Sequence, residues 1–398
     1  MSDLTAPTHY KVTQKNKMLA AILMGVGAAS IAYGFLSGDS TRIWASLLLG
    51  NFYLLAIALA SVFFVAVQFV AEVGWSASII RIPMAIGQYV PFATAFMIII
   101  FLAGHHDLYH WTHPELYDKN SPEYDRILDG KSGFLNMGFY TIRLVAYALI
   151  WSGFAFLLRR ESLKEDFEPG YGQHNKNVKL AATFLVLFGI TSSTGAWDIL
   201  MSIDAHWFST LFGWYTFAGL FVSGMTVIAM FTVYLKRNGY LPQVNENHIH
   251  DLGKFMFAFS IFWTYLWFAQ FMLIWYANLP EEVLYYKFRQ DHFHGLWLAN
   301  VFINFFTPFL VMMTRDAKRR DYTVLTVGVI MLIGHWIDVY LMVMPGTMGS
   351  HASFGIVEIG STLFFAGLLI WVTFHQLAKH PLQPKNHPML KESYHFQL

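Results

Sequence analysis

Long apolar runs divided by short polar segments repeat along the whole chain. An α-helix rises about 1.5 Å per residue, so about 20 apolar residues cross the hydrocarbon core of a bilayer. The alternation of apolar and polar residues that marks membrane-spanning strands is absent. The sequence therefore predicts an all-α integral membrane protein, a single polytopic domain over residues 1–398. Its ten predicted transmembrane helices, spans 1 to 10 in order, cover residues 18–37, 43–70, 82–104, 134–158, 179–203, 210–236, 253–277, 294–314, 323–344 and 354–378.

Composition narrows the classes of function that fit the chain. Hydrophobic residues make up 56% and charged residues only 13%, against about 25% charged residues in soluble domains. The net charge of +1 argues against a polyanionic partner such as nucleic acid. The sequence contains no cysteine, which excludes disulfides, thiolate-held iron–sulfur clusters, thioether-linked haem and a cysteine nucleophile from this chain.

Basic residues set the predicted orientation. With the N-terminus inside, most of the 26 lysines and arginines fall on the inner side, as the positive-inside rule requires. We therefore expect both termini in the cytoplasm, and we expect the first apolar run, which no small-x-small cleavage site follows, to be a retained span. The longest outer segment is the loop at 105–133, rich in aromatic and acidic residues. Such a loop fits either a surface covered by another protein or a solvated connection.

Titratable side chains lie deep in four of the predicted spans: Arg143 in span 4, Asp198 in span 5, His335 and Asp338 in span 9, and Glu358 in span 10. The helical rise places each within about 13 Å of the outer end of its span. An isolated charge at membrane depth costs roughly 2.5–3.5 kcal/mol, so we expect these groups to share one interior and Arg143 to pair with an aspartate. A static ion-pair brace and a proton relay or polar ligand site both fit.

Hydroxyl and amide side chains extend the relay hypothesis toward the inner side. Thr191, Thr194 and Asp198 share one face of span 5. Their oxygens could carry a file of water, unless the hydroxyls bond back to their own helix. Gln68 and Glu72 lie near the inner end of span 2, where they could form a cytoplasmic mouth of the path or simply be helix-end residues that reach water.

Cofactor motifs are not evident in the sequence. His335 is the one histidine at membrane depth, so a haem held by two histidines is not expected in this chain. No P-loop, zinc motif or hydrolase elbow is visible. We expect neither a cofactor nor a metal nor a catalytic residue here.

Spans 5 and 9 carry similar segments, WDILM at 197–201 and WIDVYLM at 336–342. This likeness predicts that spans 2–5 and spans 6–9 form two parallel four-helix bundles, with spans 1 and 10 outside them. It disfavours a transporter built from inverted repeats, whose helix breaks would correspond in the two halves.

Three stretches carry a resemblance to a known family: SIDAHWFSTLFG at 202–213, HIHDLGKFMFAFSIFWTYLWFAQFMLIWYANLPEE at 248–282 and DVYLMVMP at 338–345. They resemble the smaller membrane subunit of alternative complex III, a bacterial quinol:cytochrome c oxidoreductase. More distantly, they resemble the NrfD/PsrC-like membrane subunits of polysulfide reductase. The resemblance implies a cofactor-free subunit of the bacterial inner membrane, and it assigns Arg143, Asp198 and Asp338 to the polar interior of the bundles.

The resemblance also implies partners. They are a larger homologous membrane subunit, an iron–sulfur subunit and cytochrome c subunits, which carry the iron–sulfur clusters and haem c, with a terminal oxidase as a further candidate. Quinol would be oxidised nearby. The sequence therefore predicts a membrane subunit that gives a proton-conducting path or a quinol-side scaffold to this complex. A stand-alone ion or solute transporter and a purely structural membrane anchor are the alternatives.

Overall fold

The structure is a computed structural model and describes residues 9–397. All the regular secondary structure of these residues is helical. Ten helical segments are long and apolar enough to cross a membrane, which confirms the predicted class of a multi-pass helical membrane protein. In chain order, the α-helices are α1 (Gln14–Leu36), α2 (Ser40–Val70), α3 (Arg81–Gly87), α4 (Val90–Leu108), α5 (Arg126–Lys131), α6 (Met137–Lys164), α7 (Tyr171–Ile199), α8 (Leu211–Arg237), α9 (Glu246–Ala277), α10 (Pro280–Val301), α11 (Thr307–Val311), α12 (Arg315–Arg319), α13 (Asp321–Met348), α14 (Ile356–Lys379) and α15 (Leu390–Tyr394).

The eighth span differs from its predicted bounds of 294–314. Its first helix, α10, begins at Pro280, because proline suits the first helical position and two acidic residues in the first turn favour a helix N-terminus. The part of α10 before its kink at Phe293 is helical but polar, so a search for apolar runs misses it. A π-helical turn at Phe302–Phe306 then joins α10 to α11.

Helices α2 and α8 occupy the centre of the helix assembly. In the most apolar stretch of each of these two helices, 83% of the residues are buried, whereas in α1 the share is 22%. α2 contacts α4 and α7, and α6 contacts the same two helices. α8 contacts α9 and α13, and α10 also contacts these two helices. Direct contacts of α2 with α8 and α13 join the two sets around one hydrophobic core.

Helix α14 packs on α2, and α1 covers α14. Small residues let α1 and α14 approach closely, as is common between membrane helices. A Cβ atom added at Gly27 would lie 2.5 Å from the backbone nitrogen of Phe364, and one added at Gly360 would overlap Ser30. This contact therefore depends on the absence of side chains at the two glycines.

The segment 105–133 folds across one end of the helices, which we call the loop end. The Tyr109 hydroxyl donates to the carbonyl of Ile199 at 2.9 Å, and the Lys131 ammonium donates to the carbonyl of Ala205 at 2.6 Å. These bonds fix the segment to the end of α7 and to the turn that follows it. The loop is therefore folded against the helices and contains the short helix α5.

The C-terminal segment 380–397 crosses the opposite end of the helices, which we call the tail end. The Arg81 guanidinium donates to the carbonyl of Pro381 at 2.7 Å and pairs with Asp166 at 2.5 Å. Ser393 is fully buried and bonds to the turn between α2 and α3. The tail is thus an integral part of the packed structure.

Candidate functional site

Asp198 forms the first of two buried carboxylate centres. It lies in the last turn of α7 and is 1% exposed. Arg143 of α6 donates to both carboxylate oxygens at 2.8 Å, and the Tyr147 hydroxyl donates to Oδ2 at 2.7 Å. Arg143 and Tyr147 are four residues apart, so one face of α6 presents both. Bidentate arginine–carboxylate pairs are among the stronger polar contacts. With Tyr147 as a third donor, both carboxylate oxygens of Asp198 are hydrogen-bonded and its charge is neutralised by Arg143.

Asp338 forms the second centre, and four different helices build it. The carboxylate, on α13, is 2% exposed. Oδ1 accepts from the Tyr215 hydroxyl of α8 and from Asn300 Nδ2 of α10 at 2.7 Å, while Oδ2 accepts from Trp263 Nε1 of α9 at 3.0 Å. Within residues 9–397 no lysine or arginine pairs with Asp338. Three neutral donors therefore solvate a carboxylate that has no cationic partner.

His335 lies one helical turn before Asp338 and is 2% exposed. Its ring meets that of Trp263 edge-on, with the ring centroids 5.3 Å apart. Neither ring nitrogen has a hydrogen-bond partner among the described residues, so the imidazole does not bond directly to the carboxylate. Both side chains line a cavity of about 10 Å³ that α2 and α8 complete, and such a volume fits about one water molecule.

Two asparagines continue the Asp338 centre away from the loop end. Asn304 Nδ2 donates to Asn300 Oδ1 at 2.6 Å, and both side chains are buried. Asn304 lies in the π-helical turn, a distortion that is frequent at functional sites. Gly334 leaves room for it, because a Cβ atom there would overlap the Asn304 amide. The hydrogen-bonded row Asp338–Asn300–Asn304 is therefore held in place by the close packing of α13 against the π-helical turn.

A second cavity, of about 20 Å³, connects Asp338 toward the loop end. Asp338, Tyr215, Gln270 and Arg289 are among the residues that line it. Arg289 is 4% exposed and donates to the carbonyl of Leu341 at 2.9 Å. This volume fits about one water molecule, which could hydrogen-bond to both the carboxylate and the guanidinium.

Beyond Arg289 the polar groups reach an open cleft at the loop end. The guanidinium donates to Asp204 Oδ2 at 2.9 Å, and the Asp204 side chain is 29% exposed. Asp204 lines a cleft of about 620 Å³ together with His106, His110 and His206. Imidazole nitrogens donate and accept hydrogen bonds, so the cleft presents polar side chains beside the Arg289–Asp204 pair.

Glu358 belongs to a third group. It is fully buried on α14, and its Oε1 accepts from Arg42 Nε of α2 at 2.7 Å. Among the described residues no hydrogen bond joins this pair to Asp198 or Asp338. Four of the five deep residues therefore belong to three separate hydrogen-bonded groups, and His335 only borders the Asp338 group. This differs from the one shared interior expected from the sequence.

The two threonines of span 5 bond to their own helix. Thr191 Oγ1 donates to the carbonyl of Leu187 at 2.8 Å and accepts from Trp151 Nε1 at 2.9 Å. Thr194 Oγ1 donates to the carbonyl of Ile190 at 3.1 Å. These are the back-bonds that serine and threonine often make in helices, so neither hydroxyl donates toward a water file.

Gln68 and Glu72 lie at the tail end and are separate from the carboxylate centres. Gln68 is buried, and its Oε1 accepts from the Ser76 hydroxyl at 2.9 Å. Glu72 is exposed and has a positive φ of 49° just after the end of α2. Among the described residues no hydrogen bond links either side chain to the Asp338–Asn300–Asn304 row. Glu72 therefore has the position of a helix-end residue in contact with solvent.

The sequence indicated the two carboxylates but missed most of their partners. Tyr215, Trp263 and Asn300 look like ordinary members of apolar helices, and only the packing of four helices makes them converge. The predicted bounds of spans 7 and 8, 253–277 and 294–314, put Arg289 in the loop between them, because the polar start of α10 hides the helix that carries it inward. Asp204, which pairs with Arg289, lies in the stretch 202–213 that resembles a known family. That resemblance was the one signal in the sequence that pointed to this part of the site.

The comparisons with known proteins assign no family. No family model matches the chain, and no curated protein matches it at a significant level.

Proposed function

We propose that this chain is a cofactor-free membrane subunit of a bacterial quinol:cytochrome c oxidoreductase of the alternative complex III type, in which it provides a proton-conducting path. In this proposal α2, α4, α6 and α7 form one four-helix bundle and α8, α9, α10 and α13 form the other. The loop end faces the periplasm, and both termini face the cytoplasm. The excess of lysine and arginine at the tail end supports that orientation.

The observation that carries the proposal is the series of polar groups that leads from Asp338, across a water-sized cavity, to Arg289, Asp204 and the open cleft. A carboxylate without a cationic partner is expensive to keep charged in a buried site, so it can accept and release a proton at moderate cost. The water-sized cavity and the Arg289–Asp204 pair then lead to the cleft. Arginine stays protonated in proteins, so Arg289 would orient water and attract Asp204 while the aspartates exchange the proton.

The Asp198 centre has a different part in this proposal. Its carboxylate is neutralised by Arg143 and bonded by Tyr147, and breaking such a buried pair costs several kcal/mol. We therefore assign Asp198 and Arg143 to a brace between α6 and α7, and Glu358 with Arg42 to a second brace between α2 and α14. Of the five deep residues predicted from the sequence, Asp338 and His335 stay in the proposed proton path. The structure adds Asn300, Asn304, Arg289 and Asp204 as candidates for it.

The partners in this proposal supply the electron transfer. The larger NrfD-like subunit, the iron–sulfur subunit and the cytochrome c subunits would hold the iron–sulfur clusters and haem c, and a terminal oxidase would accept electrons downstream. Quinol would be oxidised near the periplasmic face, close to the cleft at the loop end. The three segments that resemble the family, at 202–213, 248–282 and 338–345, contain Asp204, Trp263 and Asp338, which supports a shared use of this region.

The test is the proton-to-electron ratio of the complex in proteoliposomes after Asp338→Asn. The variant keeps the size of the side chain but cannot carry a proton. We expect a lower ratio with the complex still assembled, because Tyr215 and Asn300, which both donate to Oδ1 of Asp338, can still donate to the amide oxygen. Asp321→Asn, at the start of α13, is the matched control, since Asp321 is partly exposed and pairs with Lys236 and Arg237. Equal ratios in the parent and in Asp338→Asn would remove Asp338 from the path.

A structural membrane anchor is the second candidate function, and the folded loop at 105–133 favours it. That function predicts that neutralising Asp338 alters stability alone. A solute transporter receives less support, because the two cavities beside Asp338 each hold about one water molecule. Transport of a solute by the isolated chain in liposomes would contradict the proposal.

A further inference from the structure

Three side chains of types that can bind a metal ion meet at the tail end, away from the polar groups that lead from Asp338 to the cleft. They are Glu165 at the end of α6, His174 in the first turns of α7 and His387 in the C-terminal segment. Their potential ligand atoms all lie within 4.8 Å of one another. The side chains of Glu165 and His174 are 1% and 2% exposed, and His387 is 8% exposed. The group is therefore shielded from solvent.

The hydrogen bonds of the described residues leave this group incompletely satisfied. His174 Nδ1 and Glu165 Oε1 are 3.0 Å apart, but Glu165 Oε2 and His174 Nε2 have no partner. Asn177, one turn further along α7, is fully buried, and both of its amide atoms are unpartnered. Buried polar groups are nearly always bonded, so this concentration of unpartnered atoms indicates that a ligand completes the site.

We propose that Glu165, His174 and His387 bind one divalent transition-metal ion, with Zn²⁺ as the chemical match. Two imidazoles and one carboxylate are a set that zinc accepts, with a fourth position for water or another oxygen. Two ligand atoms bonded to one tetrahedral zinc lie about 3.4 Å apart. The potential ligand atoms of Glu165, His174 and His387 lie within 4.8 Å of one another, so each would move by about 1 Å or less to bind one ion. The ion takes the place of the 3.0 Å hydrogen bond between His174 Nδ1 and Glu165 Oε1.

His387 has one hydrogen bond that the ion would exchange. Its Nδ1 accepts from the amide of Met389 at 3.2 Å, which is at the long end of the range for such bonds. The Phe69 ring packs beside both imidazoles, with centroid distances of 5.7 Å to His174 and 5.9 Å to His387. This apolar wall limits water at the ion and favours a structural site over an open one.

The consequence of the site is a clip between the C-terminal segment and the membrane helices. Glu165 and His174 belong to the α6–α7 connection, whereas His387 lies far away in sequence. The same two segments also meet through Asp166, which accepts from the amide of Lys385 at 2.8 Å. A metal ion across this contact adds a strong link to the hydrogen bonds that already hold the tail, and its removal makes transient opening of the segment 380–397 more frequent.

The experiment measures zinc in the purified full-length protein without a polyhistidine tag. The protein is treated with a chelator, equilibrated with Zn²⁺, separated from free metal and analysed by mass spectrometry. We expect about one ion per chain, and we expect loss of that ion in His174→Ala and in His387→Ala. His380→Ala is the matched control, because His380 lies in the same segment but is exposed and outside the group. Absence of zinc from the parent, or equal zinc in all four proteins, overturns the proposal.

A second measurement covers the case in which the alanine variants fail to fold. In the parent protein, Co²⁺ in place of Zn²⁺ should give the visible absorption of a tetrahedral ion. Proteolysis at Lys385 and Lys391 should be slower by roughly 100-fold at a free zinc concentration of 100 Kd, because only the opened tail is cleaved. An unchanged cleavage rate with and without zinc, or the absence of the cobalt spectrum, contradicts the clip.

Discussion

The Arg143–Asp198 pair permits a quantitative test of the brace assigned above. Arg143→Met removes two 2.8 Å hydrogen bonds and the positive charge, and it leaves a carboxylate that is 1% exposed with the Tyr147 hydroxyl as its donor. Removing one partner of a buried pair costs about 3–5 kcal/mol. The contact of the guanidinium with the Phe134 ring, 3.9 Å from its centroid, adds about 0.5–1 kcal/mol.

A double-variant comparison separates this loss from a general packing defect. In Arg143→Met/Asp198→Asn the uncompensated charge is gone, so most of the 3–5 kcal/mol attributed to it should return. We expect the double variant to be more stable than Arg143→Met alone. Unfolding in mixed detergent micelles, followed by the fluorescence of the 13 tryptophans, measures the free energies of unfolding of four proteins: the parent, Arg143→Met, Asp198→Asn and the double variant.

The same proteins test whether the brace takes part in proton movement. Because the path proposed above runs through Asp338, the double variant should keep the proton-to-electron ratio of the parent complex. The reasoning is refuted if the two single losses simply add in the double variant, since a buried pair must show coupling between its members. An altered ratio in a stably assembled double variant would place Asp198 in the path.

Three further predictions concern other parts of the structure. Gly27→Val should weaken the α1–α14 contact by roughly 1–3 kcal/mol, whereas Gly25→Val should have little effect because nothing lies within 4 Å of its Cβ position; equal thermal stability of the two variants would contradict this. His335→Leu removes two buried nitrogens that have no partner among the described residues and should raise the free energy of unfolding by about 1 kcal/mol in the same detergent unfolding measurement; a lower free energy of unfolding would contradict this. Asp125→Asn should speed hydrogen exchange in the loop at 105–133. Burial raises the pKa of Asp125, but the hydrogen bonds from His206 and two backbone amides outweigh it and lower the pKa. The ionised Asp125 thus stabilises the loop above the pKa that Asp125 has in the unfolded chain, and this stabilisation is lost as the pH falls through its pKa in the folded protein. The Asp125→Asn variant should not show this loss.

Local patterns in the sequence determined the class and the number of the membrane helices. The cost of leaving backbone groups unbonded in lipid makes an apolar run of about 20 residues a helix whatever its neighbours are. For the same reason the sequence identified Asp198 and Asp338 as interior groups, since a charge cannot face lipid without a partner. The bounds of the helices were less certain where polar residues continue a helix, as in α10.

The tertiary structure decided which groups meet. Helix periodicity states which face a residue occupies but not which neighbour that face contacts, so the sequence alone could not choose between Asp198 and Asp338 as the partner of Arg143. It could not bring Tyr215, Trp263 and Asn300 to Asp338, because these donors come from three helices. The Glu165–His174–His387 group likewise exists only because the tail folds back across the tail end. Contacts between residues distant in sequence depend on how whole helices pack, and that is set by the shape of the entire core.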